Sequence, residues 1–455
     1  MDISRRRLLA FSAAGAAAVA NPFVSGRAGA APRSSSVGMD ASHLGLRAGS
    51  PDDQSRTLQG AIDQAAAARV PLALGPGVYR VGNLNLPAGA QLIGVRGATR
   101  LVLTRGPSLV SASRADTLTL SGLTLDGAGM PLAEGRGLVH LSHARGVRIA
   151  DCEIVASGRH GVMLEATEGR MTGSTVTGAE GAGIFSRDAR GLEISGNTIR
   201  GSGNNGIAVW RSEPGDDGTL VIDNRIEDIA AHAGGSGQNG NAVNVFRAGN
   251  VMVRGNRIKG AAFSAVRGNA ASNLQILGNT CSALGEVALY AEFGFEGAMI
   301  ANNVVDGAAL GVAVTNFNEG GRLDVVQGNV IRNLVAFRAV GADPNDIAGI
   351  GIGVEADTAV TGNVVENAPT AGILLGWGRY MRDVAATGNV IRACGVGIAV
   401  SVAAGAGSAV IADNLISGTR RGAILGMDGH TVVTGELAGE APRFAHLTIA
   451  GNRVR

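Results

Sequence analysis

Along most of this chain, aliphatic positions separated by single polar residues recur in short runs, and glycine-rich bends cut each run from the next. The most regular form is an aliphatic residue, two further residues, an asparagine, one residue and a second aliphatic, as in Ile194-Ser-Gly-Asn197-Thr-Ile199. The same frame returns at Asn224, Asn256, Asn279, Asn303, Asn329, Asn363, Asn389, Asn414 and Asn452. Earlier copies keep the aliphatics and lose the asparagine: LSGLTL around Leu123, IADCEI around Cys152 and MTGSTV around Ser174. Successive copies lie mostly 22 to 27 residues apart and stretch to 32, 34 and 38 where polar or glycine-rich insertions intervene. That spacing predicts stacked coils with loops bulging at fixed corners.

Each unit holds two short aliphatic runs, EISGNTI and then GIAVW, whose alternation has the period of a strand. Helical solenoids need long 3.6-residue patterns, and leucine-rich repeats need a dense leucine signature; neither is present. The expectation is an all-β fold, a single-stranded parallel β-helix. About a dozen coils stacked roughly 4.8 Å apart would make a rod of order 60 Å. In such a stack the repeated asparagine forms a side-chain amide ladder that satisfies backbone groups at a bend, which gives it a structural role and no catalytic one.

Before the coils, residues 51–70 place Leu58, Ile62 and Ala65 or Ala66 on one face of an amphipathic helix, with Asp52 and Asp53 near its start. Pro76-Gly77 then turns the chain into Val78-Tyr79-Arg80-Val81, and Leu84 and Leu86 alternate with polar residues. This order resembles the N-terminal cap of pectate-lyase-like and polygalacturonase-like β-helices. The resemblance implies a right-handed, pectin-lyase-like winding of the coils and a short α-helical cap that plugs the first coil and covers strand edges otherwise free to template aggregation. Further upstream, Ser4-Arg5-Arg6-Arg7-Leu8-Leu9, an apolar stretch to Ala20 and small residues through Ala28-Gly29-Ala30 resemble a twin-arginine export signal. The apolar run is too short to cross a hydrocarbon core, which takes roughly 20 residues. Cleavage after Ala30 and after Ala20 both fit. The expected organisation is a signal over 1–30, a cap and first strands over 31–105 and coils over 106–455. The mature protein is expected to be periplasmic or secreted, exported by the twin-arginine machinery and without a membrane anchor.

Composition sharpens the core and excludes some partners. Glycine makes up 71 of 455 residues and aromatics 3%, so the core must be small and β-branched. A net charge of +2 without long basic or acidic runs gives no electrostatic case for nucleic acid. Cys152, Cys281 and Cys394 are far apart and lack ligand spacing, which makes them buried fillers, and none of the seven histidines pair at ligand spacing in the coils. No metal or cofactor is expected on these grounds.

Alternation sorts the second run of each unit into inward and outward residues. In GIAVW, Ile207 and Val209 point in, and Trp210 points out. Extending that frame predicts an outward column of Glu165, Arg187, Trp210, Phe246, Asn269, Tyr290, Thr315, Glu355 and Ser401, with Asn244, Arg267 and Ala288 beside it. Ten of the fifteen aromatics fall between Trp210 and Tyr380, among them Phe293, Phe295, Phe317 and Trp377. Aromatics outside an aliphatic core either stack on the flat apolar faces of sugars or pack under insertions. Polar residues gather in the same stretch: Glu286, Glu292 and Glu296, then Asn316, Asn318, Glu319 and Arg322, then Glu355 and Asp357. Carboxylates on adjacent coils perturb one another's pKa, as general acid–base chemistry requires. The candidate catalytic residues are therefore Glu286, Glu292, Glu355 and Arg267. The candidate substrate-binding residues are Trp210, Asn244, Phe246, Asn269, Tyr290, Asn316, Asn318, Arg322, Trp377 and Tyr380.

The unit ISGNTIRGSGNNGIAVWRS resembles the polygalacturonase coil that carries paired catalytic aspartates. Asn204 and Asn205 stand at the matching positions, and an amide cannot protonate a leaving group, so that chemistry is not implied. Pectate lyases of this architecture hold Ca²⁺ on Asp and Glu beside a Lys or Arg base, an arrangement that Glu286, Glu292 and Glu296 with Arg267 imitate; calcium is expected only if the protein is a lyase. The whole chain is similar to a bacterial family of twin-arginine-translocated right-handed β-helix repeat proteins, which implies export and fold and brings no reaction. The leading expectation is a protein that binds an extended polysaccharide along its outer coil face and processes it as a lyase, hydrolase or epimerase. The rival is a noncatalytic envelope or adhesion rod that binds glycan or protein.

Overall fold

Three strands make up each coil, one more than the aliphatic runs of the sequence suggest, because the asparagine frame itself spans two of them. A computed structural model describes residues 38–315, 320–342, 347–438 and 443–455. In a typical coil, Glu193–Ser195 belongs to a first sheet, Thr198–Arg200 to a second and Asn205–Asp216 to a third. The first sheet has 16 strands and the other two 15 each, every one hydrogen-bonded to its equivalent in the coils before and after. All pairings are parallel except the last in the third sheet, where Thr431–Glu436 runs antiparallel to Gly422–Asp428. The winding is a right-handed parallel β-helix, the hand that twisted strands impose on parallel crossovers.

Inward residues stack one per coil. In the second sheet Ile199, Ile226, Ile258, Cys281, Val305, Ile331, Val365, Ile391 and Ile416 lie in register and are all buried. Each such side chain contributes about 1.5–3 kcal/mol on leaving water. Cys281 takes an aliphatic's place in this column, and burial pushes its thiol up to about 12, so it is inert.

The bend between the first and second sheets explains the Gly-Asn dipeptides. Gly196, Gly255 and Gly278 adopt φ of 63–67°, a left-handed conformation that Asp223 and Asn302 take where glycine is absent. The next residue then points its side chain inward. Asn279 Oδ1 accepts from the Asn256 backbone N–H at 2.9 Å and from Asn256 Nδ2 at 3.0 Å, while Asn279 Nδ2 donates to the Val253 carbonyl at 2.9 Å. The same three bonds repeat from Asn197 to Asn414, and Ser174 continues the ladder downward by donating its backbone N–H to Asn197. The structural reading of the asparagines holds.

The helix Ser55–Ala67 buries Leu58, Ala61, Ile62 and Ala65 against the first coil. Gln59 exchanges two 2.8 Å bonds with the backbone of Asn85 on the edge strand Leu84–Asn85, and the Ser55 hydroxyl accepts from Gly82 N–H at 2.9 Å. The cap thus satisfies edge groups that a neighbouring chain would otherwise pair with. Among the described residues no helix is long and apolar enough to cross a membrane.

Candidate functional site

The outer face of the third sheet carries the unusual chemistry. Its registers align Ser142, Glu165, Arg187, Trp210, Phe246, Asn269, Glu292 and Thr315 in one outward column. A second column holds His140, Met163, Phe185, Ala208, Asn244, Arg267, Tyr290, Ala313, Gly353 and Leu374. Tyr290 therefore stands beside Arg267 and not in the Trp210 column, where Glu292 replaces it. A slip of two residues keeps a side chain on its face while moving it one column along, so alternation alone could not detect it. Ala288 lies in the core, because two successive residues face inward where each of these strands begins.

Half-buried rings climb this face diagonally. His160, Phe185, Trp210 and Phe246 follow one another with centroids 4.9, 5.0 and 5.6 Å apart, and the Arg247 guanidinium sits 4.8 Å over the Phe246 ring. The Trp210 indole donates to Asn244 Oδ1 at 2.8 Å, and Asn244 Nδ2 donates to the Gly237 carbonyl at 2.7 Å, which fixes the indole edge. At the ladder's foot a polar groove of about 610 Å³ is lined by Ser111, Ser142, Arg136, His140, Glu165 and Arg187. His140 Nε2 lies 3.1 Å from Glu165 Oε2, and Arg187 also pairs with Glu165. Burial pulls the His140 imidazole below its ordinary pKa despite the carboxylate, so it is neutral at pH 7. Burial works to raise the Glu165 pKa, but the bonds from His140 and Arg187 outweigh it and hold that carboxyl low and ionised.

Above the ladder the four predicted catalytic groups separate. Arg267 grips Glu292 with two bonds of 2.7 and 2.8 Å and reaches Glu286 at 3.1 Å; Arg338 lies 3.4 Å from Glu286. Glu286 and Glu292 are 1% and 2% exposed. Burial opposes the Arg267 charge, but the Glu292 and Glu286 carboxylates prevail and raise its pKa above the usual value. Asn269 donates to Glu292 at 3.0 Å, and the Tyr290 ring stacks 4.8 Å from the Arg267 guanidinium. These carboxylates form a closed ion-pair network that fixes the sheet's outer layer. Glu355 stands apart, buried beside an apolar cavity further along the face, where Trp377 packs edge-on against His430 at 4.5 Å.

The remaining candidates scatter. Arg322 lies on the first sheet, paired with Glu296 at 2.6 Å, because its strand, Arg322–Gln327, is the first of its coil. Tyr380 belongs to the turn Gly378–Tyr380, with Arg379 5.5 Å from its ring. Phe295 is a core residue. Asn316, Asn318, Arg5 and Arg6 lie outside the described residues. The residues do not fit the calcium arrangement: Glu296 is on another sheet, Arg267 and Arg338 are paired with the other two glutamates, and no cluster of three metal-ligating side chains occurs among the described residues. The groups that the sequence analysis passed over are His140, His160 and Phe185. A search for outward rings that counted imidazoles and began three coils before Trp210 would have found them.

The family model described as "Right handed beta helix region" matches residues 132–226, 160–330 and 214–382, together more than half of the chain. No curated protein sequence matches. Among solved structures, the A-module of an Azotobacter vinelandii mannuronan C-5 epimerase superposes with a TM-score of 0.50 at 19% identity, covering 64% of this chain and 94% of that one. Gene product 12 of bacteriophage phi29, in its pre-mature form, gives 0.55 at 13% identity, covering 86% of this chain and 65% of that one.

Proposed function

This chain belongs to the right-handed β-helix family, and on that footing we propose that it is an exported protein that binds an extended polysaccharide along the outer face of its third sheet. The observation that carries the reading is the ladder of His160, Phe185, Trp210 and Phe246, one ring per coil, half-buried and edged by polar side chains. Successive rings at that pitch offer a stacking surface to successive sugars, whose apolar C–H faces they match. The similar epimerase module, named for its action on mannuronan, is a β-helix that meets a polysaccharide, which accords with this reading.

Cleavage or epimerisation is the finer form of the proposal. It needs an acid or base against the sugar, and on this face His140 with Glu165 meets that need better than Glu286 or Glu292, which Arg267 locks. The signal-free protein is to be titrated with oligomannuronan and with a neutral glucan. Trp210→Ala is expected to weaken binding about tenfold, as loss of a central aromatic anchor does, while Arg322→Ala on the first sheet leaves it unchanged. Equal affinity in the wild type and Trp210→Ala would refute the ladder. Unsaturated-uronate absorbance would identify a lyase, new reducing ends a hydrolase, and binding with neither a rod.

Export is the second part of the proposal. Changing Arg5 and Arg6 to lysine is expected to leave the precursor inside the cell, read by fractionation; undiminished export would exclude the twin-arginine route.

A further inference from the structure

Past Glu292 the outer face changes character. The strand entries that hold Asn205 and Asn241 in earlier coils hold Val287, Leu310, Ile350, Ala371 and Val396 in later ones, and these residues join Ala313, Leu425 and Met427 in a second apolar cluster outside the coil. A cavity of about 290 Å³ opens over this cluster. Its floor is aliphatic, Trp377 and His430 form one wall, and Arg338, Thr315 and Glu355 mark its polar side. The Thr315 hydroxyl is buried and has no hydrogen-bond partner among the described residues, a cost that a ligand oxygen would relieve.

Gly353 on the strand Ile350–Val354 gives the strongest indication. Gly351 and Gly372 are forced by packing: a Cβ at either would come within 2.5 Å of a carbonyl or a methyl of the neighbouring strands. A Cβ at Gly353 meets nothing within 4 Å. Strand propensity disfavours glycine there, and no contact among the described residues demands it. What glycine does at this position is leave the cavity open.

We propose that this cavity binds the aliphatic chain of an acylated sugar. The volume suits one short chain, at the small end of ligand pockets. The floor is too apolar to reward a bare sugar, whose hydroxyls would lose water without gaining partners. A rim with a guanidinium, a carboxylate and a hydroxyl suits a neutral head that both donates and accepts. The choice of a sugar head rests on the reading of this face as a glycan surface, whereas the chain site does not. Thr315 and Glu355 continue the Trp210 column, so a glycan lying on the ladder would carry its acyl groups toward the mouth.

Calorimetric titration of the signal-free protein with octyl glucoside, below its micelle concentration, tests this. Binding with a negative heat-capacity change is expected, because apolar surface is buried. Gly353→Leu should weaken it at least tenfold at an unchanged melting temperature, and Trp377→Ala, which strips one wall, should weaken it as well. Trp210→Ala should bind octyl glucoside like the wild type, so failure of the ladder reading and failure of this one are separable. The absence of octyl glucoside binding, or undiminished binding in Gly353→Leu, overturns the site. Octanoate binding as tightly as the glucoside overturns the neutral sugar head.

Discussion

Arg267→Ala is expected to destabilise the protein by about 3–5 kcal/mol, the range for removing one partner of a buried ion pair. The size follows from what remains. Glu286 and Glu292 are almost wholly buried, and Arg267 supplies both strong bonds to Glu292 as well as one to Glu286. Without it Glu292 keeps Asn269, and Glu286 keeps the longer contact to Arg338. Coils in a solenoid depend chiefly on their neighbours, so the loss should be local before it is global. Hydrogen exchange should quicken first in Val266–Asn269 and Val287–Glu292, ahead of the coils near the helical cap. Exchange and denaturant midpoint both matching the wild type would show that the network contributes nothing.

Asp324→Asn should stabilise the protein, and by an amount that depends on pH. Asp324 faces into the coil between Ala298 and Thr358, is 3% exposed, and neither of its oxygens meets a partner of normal hydrogen-bond geometry among the described residues. Burial raises its pKa from 3.8 to about 8, against a contact from the Ala298 backbone N–H that lowers it and with the nearby Asp357 charge adding to the rise. Below pH 4 both folded and unfolded chains carry the proton and nothing is lost. Between pH 4 and 8 the unfolded chain ionises while the folded one does not, so wild-type stability falls as pH rises and levels off above 8. A shift of that size corresponds to about 6 kcal/mol in total. The asparagine variant lacks this slope. The two proteins should have similar denaturant midpoints at pH 4 and diverge steadily to pH 8; parallel profiles would mean that Asp324 is not held protonated.

Much of the fold was legible because its determinants are local and repeated. The asparagine frame could be read as a ladder because a buried amide at a fixed interval, preceded by a residue suited to positive φ, has little other use. The cap was legible for a similar reason, since Leu58, Ile62 and Ala65 share a helical face; the part that Gln59 plays on the edge strand was not read from the sequence. The number of strands per coil was not legible, since the asparagine bend separates two strands without any break in the aliphatic pattern.

The candidate site was legible by face and not by partner. Alternation put Trp210, Phe246, Asn269 and Glu355 outside the core correctly. It could not show that Glu286 and Glu292 meet the same guanidinium, because that depends on the register of two separate coils. Nor could it place Arg322, whose strand opens a coil on a different sheet. Phe185 and His160 were missed because they precede the stretch between Trp210 and Tyr380 in which the aromatics concentrate, and His160 is not counted among the aromatics. Only stacking assembles them.

The central claim, that a polysaccharide lies along the third sheet, is tested most directly by hydroxyl-radical footprinting of the signal-free protein with and without oligomannuronan. The account predicts protection of Phe185, Trp210 and Phe246, with Val330, Val364 and Val390 on the outer face of the second sheet unchanged. Protection of those valines with the three rings still reactive would contradict it.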